Sequence, residues 1–181
     1  MALRFERLTE ADLPMLAEWL RRPHVAEWWA DCKTLAEVRE QYLPTLTDGS
    51  TVLSCVAYLE SLPIGYIQAY VAADAGDGWW PDEHDPGVRG IDQFLADADS
   101  LGRGLGTQMV CEFVQFLFED PTVTRIQADP APTNLRAIRC CEKAGFRRVR
   151  VISTPDGAAV LMVVERPSKV VLSDRSRTLS G

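Results

Sequence analysis

The spacing of hydrophobic and polar residues predicts two helices in the second half of the chain. In the first, apolar residues recur every four positions, and Pro121 closes the helix. These apolar residues are Leu105, Met109, Phe113 and Leu117. The second helix can begin at a cap on Thr133 or Asn134 and can end at Gly145 in the left-handed conformation. One side of it carries an amide, a small residue and a thiol, which are Asn134, Ala137 and Cys141.

The N-terminal region is predicted to start with a short strand over residues 3–7, where apolar and polar residues alternate. A helix then begins at the sequence Thr9-Glu10-Ala11-Asp12, and Pro23 is expected to end it. A second helical run covers residues 34–42 and is preceded by the pair Trp28-Trp29. This aromatic pair either packs in the core or contacts a substrate.

The remaining apolar segments have strand patterns. Strands are predicted at residues 52–59, 64–72, 88–95, 124–128, 147–152 and 159–164. The first two form a hairpin, and the last two flank the turn Pro155-Asp156-Gly157. Strands that first pair antiparallel and then alternate with helices indicate an α/β fold with a mixed sheet.

Composition describes one globular domain. The chain has 181 residues, of which 46% are hydrophobic and 25% are charged, which allows a substantial core. We expect residues 1–166 to form this domain and residues 167–181 to be a polar, frayed tail. The N-terminus has no apolar leader, and no run approaches the ~18 apolar residues of a membrane span. We therefore expect a cytoplasmic protein without a membrane partner.

The five cysteines form no C-x-x-C pair, and the two histidines lie far from them in sequence. This pattern predicts reduced thiols and no metal site.

Acidic residues are concentrated in one segment. The formal net charge is -7, and residues 74–99 hold eight acids against one base, Arg89, whereas the rest of the chain has 18 of each. Such a segment repels nucleic acid and attracts cations. It is either a solvated loop or a binding surface for an amphipathic cation, and the pair Trp79-Trp80 within it favours the binding surface.

A glycine-rich turn, Gly102-Arg103-Gly104-Leu105-Gly106-Thr107, precedes the first of the two helices. Alternating glycines let the backbone approach an anion, and the unpaired N–H groups of a helix start attract negative charge. A pyrophosphate fits such a turn. The spacing matches neither a P-loop nor a dinucleotide-binding loop. The alternative is a turn that only reverses the chain.

Three segments resemble the acetyl-CoA-binding core of the GNAT superfamily of N-acetyltransferases. They are Gly104-Leu105-Gly106, Asn134-Leu135-Arg136-Ala137 and Glu142-Lys143-Ala144-Gly145-Phe146. Within that superfamily the chain resembles the aminoglycoside 6'-N-acetyltransferases over roughly residues 3–166. The segments that carry this narrower resemblance are Glu27-Trp28-Trp29, residues 41–44, residues 76–80, residues 85–93 and residues 154–157.

The resemblance implies the GNAT fold, in which acetyl-CoA lies where two central strands of a mixed sheet splay apart between flanking helices. It implies cofactor contacts from the strand through Gln93 and Phe94, and from the second helix through Asn134 and Ala137. The pyrophosphate would lie on the turn residues Arg103, Gly104, Leu105, Gly106 and Thr107. The superfamily usually has Gln or Arg where this chain has Leu101, and we expect little loss because main-chain amides do most of the binding.

The resemblance also implies residues for the amine substrate. An alkylammonium with a pKa of about 10 is mostly protonated at pH 7, so a nearby carboxylate can orient the cation and accept its proton, directly or through water. Asp92 matches the family's Gly-Ile-Asp-Gln motif, whose aspartate is taken as general base. Asp129 matches a second aspartate that contacts the aminoglycoside, and Trp79 and Asp156 match positions near the substrate.

One departure affects the chemistry, because Cys141 stands where related enzymes have the tyrosine that protonates the leaving thiolate. Three interpretations follow. Cys141 acts as a poorer acid, or water protonates the thiolate at a lower rate, or the protein only binds its ligands.

The leading hypothesis is therefore an enzyme that acetylates the 6'-amine of aminoglycoside antibiotics and confers resistance, as a monomer or homodimer. One rival is a GNAT that acts on another amine, such as a lysine-like siderophore precursor or a protein N-terminus. The other rival is a catalytically impaired protein that binds aminoglycosides or acyl-CoA.

Overall fold

The computed structural model describes residues 3–29, 34–76 and 78–167, so the predicted tail from residue 168 onward lies outside the described residues. Within these ranges there are five α-helices and seven strands. The helices are α1 (Leu13–Leu20), α2 (Pro23–Ala26), α3 (Leu35–Tyr42), α4 (Leu105–Leu117) and α5 (Leu135–Lys143). The strands are β1 (Leu3–Arg7), β2 (Val52–Leu59), β3 (Leu62–Val71), β4 (Val88–Leu95), β5 (Arg125–Ala128), β6 (Arg147–Thr154) and β7 (Gly157–Glu165).

All seven strands belong to one sheet, in the order β1-β2-β3-β4-β5-β7-β6. Strands β4 and β5 run parallel, and every other neighbouring pair is antiparallel. A parallel pair needs a long crossover connection, which here contains α4. The predicted mixed sheet is confirmed.

The two parallel strands pair only at their beginnings. Their pairs run from Val88 with Arg125 to Gly90 with Gln127, whereas β4 continues to Leu95 with β3 as its partner. Beyond Gly90 the two central strands therefore part, as predicted.

Hydrophobic residues cover both faces of the sheet. Helices α4 and α5 pack on one face, where Phe113 and Ile138 join a cluster with Ile67 of β3. Helices α1, α2 and α3 pack on the other face, in a cluster that includes Tyr66. Successive residues of a strand point to opposite faces, so Tyr66 and Ile67 belong to different cores. A fully buried apolar side chain such as Ile67 contributes about 1.5–3 kcal/mol to the free energy of unfolding.

Both ends of α5 lie where the sequence predicts them. Asn134 Oδ1 accepts a hydrogen bond from Ala137 N at 3.1 Å and starts α5. Gly145, with a φ of 95°, ends this helix, and Phe146 N donates to Cys141 O at 3.0 Å.

The prediction that Pro23 ends the first helix is wrong. Helix α1 already ends at Leu20, and Pro23 is the first residue of α2. The N–H at the first position of a helix has no acceptor within the helix, so proline costs no hydrogen bond there. No helix in the described part of the chain is long and apolar enough to cross a membrane.

Candidate active site

A cavity of about 520 Å³ lies where β4 and β5 part. Its walls come from β3 and β4, from the chain just after β5, from the start of α5 and from the turn between β6 and β7. Elements on both faces of the sheet therefore line one cavity, with Gln41 and Tyr42 of α3 on one side and Ala137 and Cys141 of α5 on the other.

Four aspartates from different parts of the chain line this cavity. Asp92 lies on β4, Asp129 directly follows β5, Asp156 lies in the β6–β7 turn and Asp74 lies just after β3. No Lys, Arg or His is found among the described residues that line the cavity. The negative potential of these carboxylates attracts a ligand with several positive charges.

Two of these aspartates, Asp92 and Asp129, have a raised pKa. Burial raises the pKa of Asp129 to about 7, and the charges of Asp92 and Asp156 act in the same direction. Burial also raises the pKa of Asp92; a hydrogen bond from Gln68 opposes this change and the charge of Asp156 adds to it. Such carboxylates are stronger bases than a free aspartate, as proton transfer near neutral pH requires.

The adjacent residues Trp79 and Trp80 face different surroundings. Trp79 lines the cavity, whereas Trp80 is only 7% exposed and its Nε1 donates to Tyr70 Oη at 3.2 Å. Trp80 has a φ of 49°, a left-handed conformation that is rare for a bulky residue and turns the chain between the two rings. The structure thus separates the pair, contrary to the prediction of one surface made by both.

Most acids of the acidic segment contact the protein itself. Glu83 pairs with Arg125, and Asp85 Oδ2 accepts a hydrogen bond from Thr124 Oγ1 at 2.8 Å. Asp77 lies outside the described residues. Among the described acids of the segment, only Asp74 and Asp92 line the cavity. The cation-attracting surface therefore depends as much on residues 129 and 156 as on this segment.

The start of α4 has an open, anion-compatible backbone. Gly102 and Gly104 have φ values of 75° and 85°, and a Cβ built on either residue would meet nothing within 4 Å. Gly104 caps α4, so the first N–H groups of the helix have no partner within it. Arg103 beside them is exposed. These residues fit a pyrophosphate, although none of residues 103–107 lines the cavity itself.

The two strand residues predicted to contact the cofactor face in opposite directions. Gln93 lines the cavity, and its Oε1 is buried without a hydrogen-bond partner among the described residues. The Phe94 ring packs edge-on against Trp29, with ring centroids 5.1 Å apart. Phe94 can therefore offer a ligand only its main chain, whereas Gln93 also offers a side-chain acceptor.

The residues predicted on α5 lie on its cavity side. Asn134, Ala137 and Cys141 all line the cavity. The cap uses Asn134 Oδ1, so the Asn134 NH₂ group is the part that can donate to a ligand. Cys141 is 1% exposed, and burial, followed by the neighbouring Cys140, raises the pKa of its thiol to about 12. This thiol holds its proton firmly.

Comparison with known proteins decides the family. The family described as Acetyltransferase (GNAT) domain matches residues 9–154. The chain belongs to the GNAT acetyltransferases. Over 162 residues this GNAT is 57% identical to aminoglycoside N(6')-acetyltransferase type 1 of Klebsiella pneumoniae, a match that covers 88% of this chain and 81% of that protein.

Other relatives extend the comparison. The solved structure of aminoglycoside acetyltransferase AAC(6')-Ib in complex with coenzyme A and kanamycin matches with a TM-score of 0.86 and 57% identity, over 91% of this chain and 95% of that chain. A lysine N-acyltransferase, MbtK, of Mycolicibacterium paratuberculosis is 31% identical over 169 residues, which cover 92% of this chain and 74% of that protein.

This GNAT thus brings most of the predicted site residues into one cavity. Those that line it are Trp79, Asp92, Gln93, Asp129, Asn134, Ala137, Cys141 and Asp156. Those that do not are Phe94, Arg103, Gly104, Leu105, Gly106 and Thr107. The second group lies at the end of β4 and around the start of α4.

The cavity residues that the sequence interpretation missed include Gln68 and Tyr70 of β3. Gln68 is the strongest case, because its Nε2 donates to Asp92 Oδ2 at 2.8 Å. One signal was available, since Gln68 is the only amide in an otherwise apolar and aromatic strand.

Proposed function

We propose that residues 1–166 form a single GNAT domain that transfers the acetyl group of acetyl-CoA to the 6'-amine of an aminoglycoside and so confers resistance. The observation that carries the proposal is a cavity with four aspartates, and no cation among its described lining residues, at the gap between β4 and β5. The proposal is supported by a relative whose name states this activity and by a related structure with coenzyme A and kanamycin.

Acetyl-CoA supplies the acetyl group as an activated thioester. The backbone amides of residues 103–107 hold its pyrophosphate, and Arg103 adds a positive charge. Beyond Gly90, the side of β4 that faces the gap offers main-chain groups to the pantetheine arm, and Asn134 and Ala137 border the same space.

The aminoglycoside binds through its ammonium groups. Asp129 and Asp156 pair with them, and Trp79 packs against the drug's apolar ring faces. Because these ion pairs lie at a cavity open to solvent, drug affinity falls as salt concentration rises.

Asp92 accepts a proton from the ammonium, and the neutral amine nitrogen attacks the thioester carbonyl carbon. A main-chain N–H of β4 near residue 92 stabilises the oxyanion. The carbon–sulfur bond then breaks and coenzyme A leaves as the thiolate. The amine nitrogen passes its remaining extra proton to solvent, the thiolate takes a proton from solvent, and Asp92 returns its proton to solvent before the next turnover.

Cys141 is unsuited to protonate the leaving thiolate. A leaving thiolate with an ordinary thiol pKa of about 8.5 is a weaker base than the Cys141 thiolate, because burial raises the pKa of Cys141 to about 12. Proton transfer from Cys141 is therefore uphill by roughly 4–5 kcal/mol. Water, with a pKa of about 15.7, is a weaker acid still. The thiolate, a tolerable leaving group at neutral pH, therefore departs as the anion and takes its proton from bulk solvent afterwards, so the proposed enzyme works without a side-chain acid at this step. As a consumer of acetyl-CoA, the proposed enzyme acts in the cytoplasm.

The test is thiol release from acetyl-CoA with purified protein and kanamycin, tobramycin, gentamicin or amikacin, alongside calorimetric binding of each drug. We expect release that depends on the drug and is lost in Asp92→Asn. The matched control is Asp99→Asn, the same change on an exposed acid outside the cavity. Tight drug binding without thiol release would indicate a binding protein. The absence of both binding and release would indicate a different amine substrate.

A further inference from the structure

A row of polar side chains crosses three strands and ends at Asp92. Ser54 on β2 is the register partner of Gln68 on β3, and Gln68 is the register partner of Asp92 on β4. Tyr66 precedes Gln68 by two residues and therefore points to the same face of the sheet. Directly opposed side chains on neighbouring strands lie within contact distance, so this arrangement follows from the strand register.

Hydrogen bonds link the four side chains into one chain. The Tyr66 hydroxyl oxygen lies 2.8 Å from Ser54 Oγ and 2.8 Å from Gln68 Oε1. Gln68 Nε2 donates to Asp92 Oδ2 at 2.8 Å. Tyr66 is fully buried and Ser54 is 5% exposed. Because solvent is excluded there, each proton in the chain must find its acceptor within it.

The chemistry of the groups gives the chain one direction. An ionised Asp92 only accepts, so the Gln68 amide must present its NH₂ group to Asp92 and its oxygen to Tyr66. The single Tyr66 proton then goes to Gln68 Oε1, and the Ser54 hydroxyl donates to the Tyr66 oxygen. With the amide reversed, its oxygen would face a carboxylate oxygen and its NH₂ group would face the Tyr66 hydroxyl. Burial raises the pKa of Tyr66 well above its ordinary value, so this phenol stays a donor.

We propose that Gln68 is the positioning residue for Asp92, and that Tyr66 and Ser54 hold its amide in the one orientation that supports the base. Gln68 fixes Oδ2, which leaves Oδ1 as the oxygen that takes the proton of the amine. This inference rests on the proposed role of Asp92 as general base. Gln68 itself touches neither reacting atom.

The hydrogen bond from Gln68 also opposes the other influences on Asp92. Besides Asp92, ionisable groups line the cavity from several elements: Tyr42 on α3, Tyr70 on β3, Asp74 after β3, Asp129 after β5, Cys141 on α5 and Asp156 in the β6–β7 turn. Burial and the charge of Asp156 raise the pKa of Asp92, whereas the hydrogen bond from Gln68 lowers it. Without Gln68 a larger fraction of Asp92 is protonated at neutral pH and cannot serve as base.

The test compares Gln68→Leu and Tyr66→Phe with the parent protein. We expect Gln68→Leu to lower kcat about 10- to 100-fold, to leave the KM for acetyl-CoA unchanged and to move the acid limb of the kcat/KM profile to higher pH. Tyr66→Phe should give a smaller change in the same direction. The matched control is Tyr58→Phe on β2, where the ring lies under Arg4 outside the cavity, and it should keep the parental profile.

A second readout does not need turnover. The carboxyl carbon of Asp92 can be titrated by NMR and assigned by its absence in Asp92→Asn; its inflection should move to higher pH in Gln68→Leu. An unmoved inflection and an unmoved acid limb would overturn the inference, as would a change confined to the KM of the drug, which would make Gln68 a substrate contact. If the parent protein releases no thiol, the proposed function fails, and the titration alone decides whether Gln68 controls Asp92.

Discussion

Aminoglycoside binding should release protons from Asp129. Burial, with the charges of Asp92 and Asp156, raises the pKa of Asp129 to about 7, so about half of these side chains are protonated at pH 7. A cationic drug among the carboxylates favours the ionised form and lowers the pKa of Asp129 towards its ordinary value of about 3.9. Asp129 then loses about 0.9 proton per drug at pH 6, about 0.5 at pH 7 and about 0.1 at pH 8.

Calorimetry measures this proton count. The parent protein and Asp129→Asn are titrated with kanamycin, without acetyl-CoA, in buffers of different ionisation enthalpy at each pH. The drug's own amines also exchange protons on binding, but that contribution is common to both proteins to first order. The difference in proton count between the parent protein and Asp129→Asn therefore reports the protons lost by Asp129. The control Asp99→Asn should give the parental count.

Equal proton counts for the parent and Asp129→Asn at pH 6 and pH 7 would refute the reasoning. They would mean that Asp129 is already ionised in the free protein and that its neighbours perturb it little. A difference that fails to shrink between pH 6 and pH 8 would point to a different titrating group.

Three more outcomes are expected. The folded-state pKa of Asp129 lies above the unfolded value, so its ionisation destabilises the fold progressively from about pH 4 to about pH 7. Asp129→Asn should therefore stabilise the ligand-free protein at pH 8 more than at pH 4.5, by about 1–3 kcal/mol after a discount for partial exposure, and equal thermal melts at both pH values would contradict this. Cys141→Tyr should raise kcat in steady-state assays about 10- to 100-fold, because a phenol is a better proton donor than this buried thiol, and an unchanged kcat would show that thiolate protonation does not limit turnover. In Gly90→Ala the new Cβ would lie 2.4 Å from Tyr70 Cζ. Displacement of that ring should lower the free energy of unfolding in urea by about 1–3 kcal/mol and raise the KM of the drug, and wild-type values for both would mean that the ring moves aside without strain.

Local patterns predicted the elements closely where the residues themselves decide the structure. The bounds of β2 and β4 match the predicted residues 52–59 and 88–95, because apolar alternation and flanking turns are visible in the sequence. The cap at Asn134 and the left-handed Gly145 were predictable for the same reason. The gap between β4 and β5 followed from the family resemblance.

Features that depend on tertiary pairing could not be predicted. The contact between Gln68 and Asp92 exists because of the β3–β4 register, which no local pattern specifies. Trp79 and Trp80 are adjacent and chemically identical, but Trp79 lines the cavity and Trp80, which has a left-handed φ, does not. The acids at 83 and 85 were expected to attract cations, but Arg125 and Thr124, some 40 residues away in sequence, engage them.

The gap between β4 and β5 also bears on how long the protein lasts in a cell. Beyond Gly90 and Gln127, the described ladder between these strands has no further pairs, so a ligand in this space would add contacts that the folded protein alone lacks. A ligand that binds only the folded state, at a hundred times its Kd, adds about 2.7 kcal/mol to the free energy of unfolding. Proteases act on transiently opened molecules, so the steady-state amount of this protein would follow the cellular supply of acetyl-CoA. Under the proposed function, a shortage of acetyl-CoA would therefore lower the amount of this protein as well as its rate of turnover.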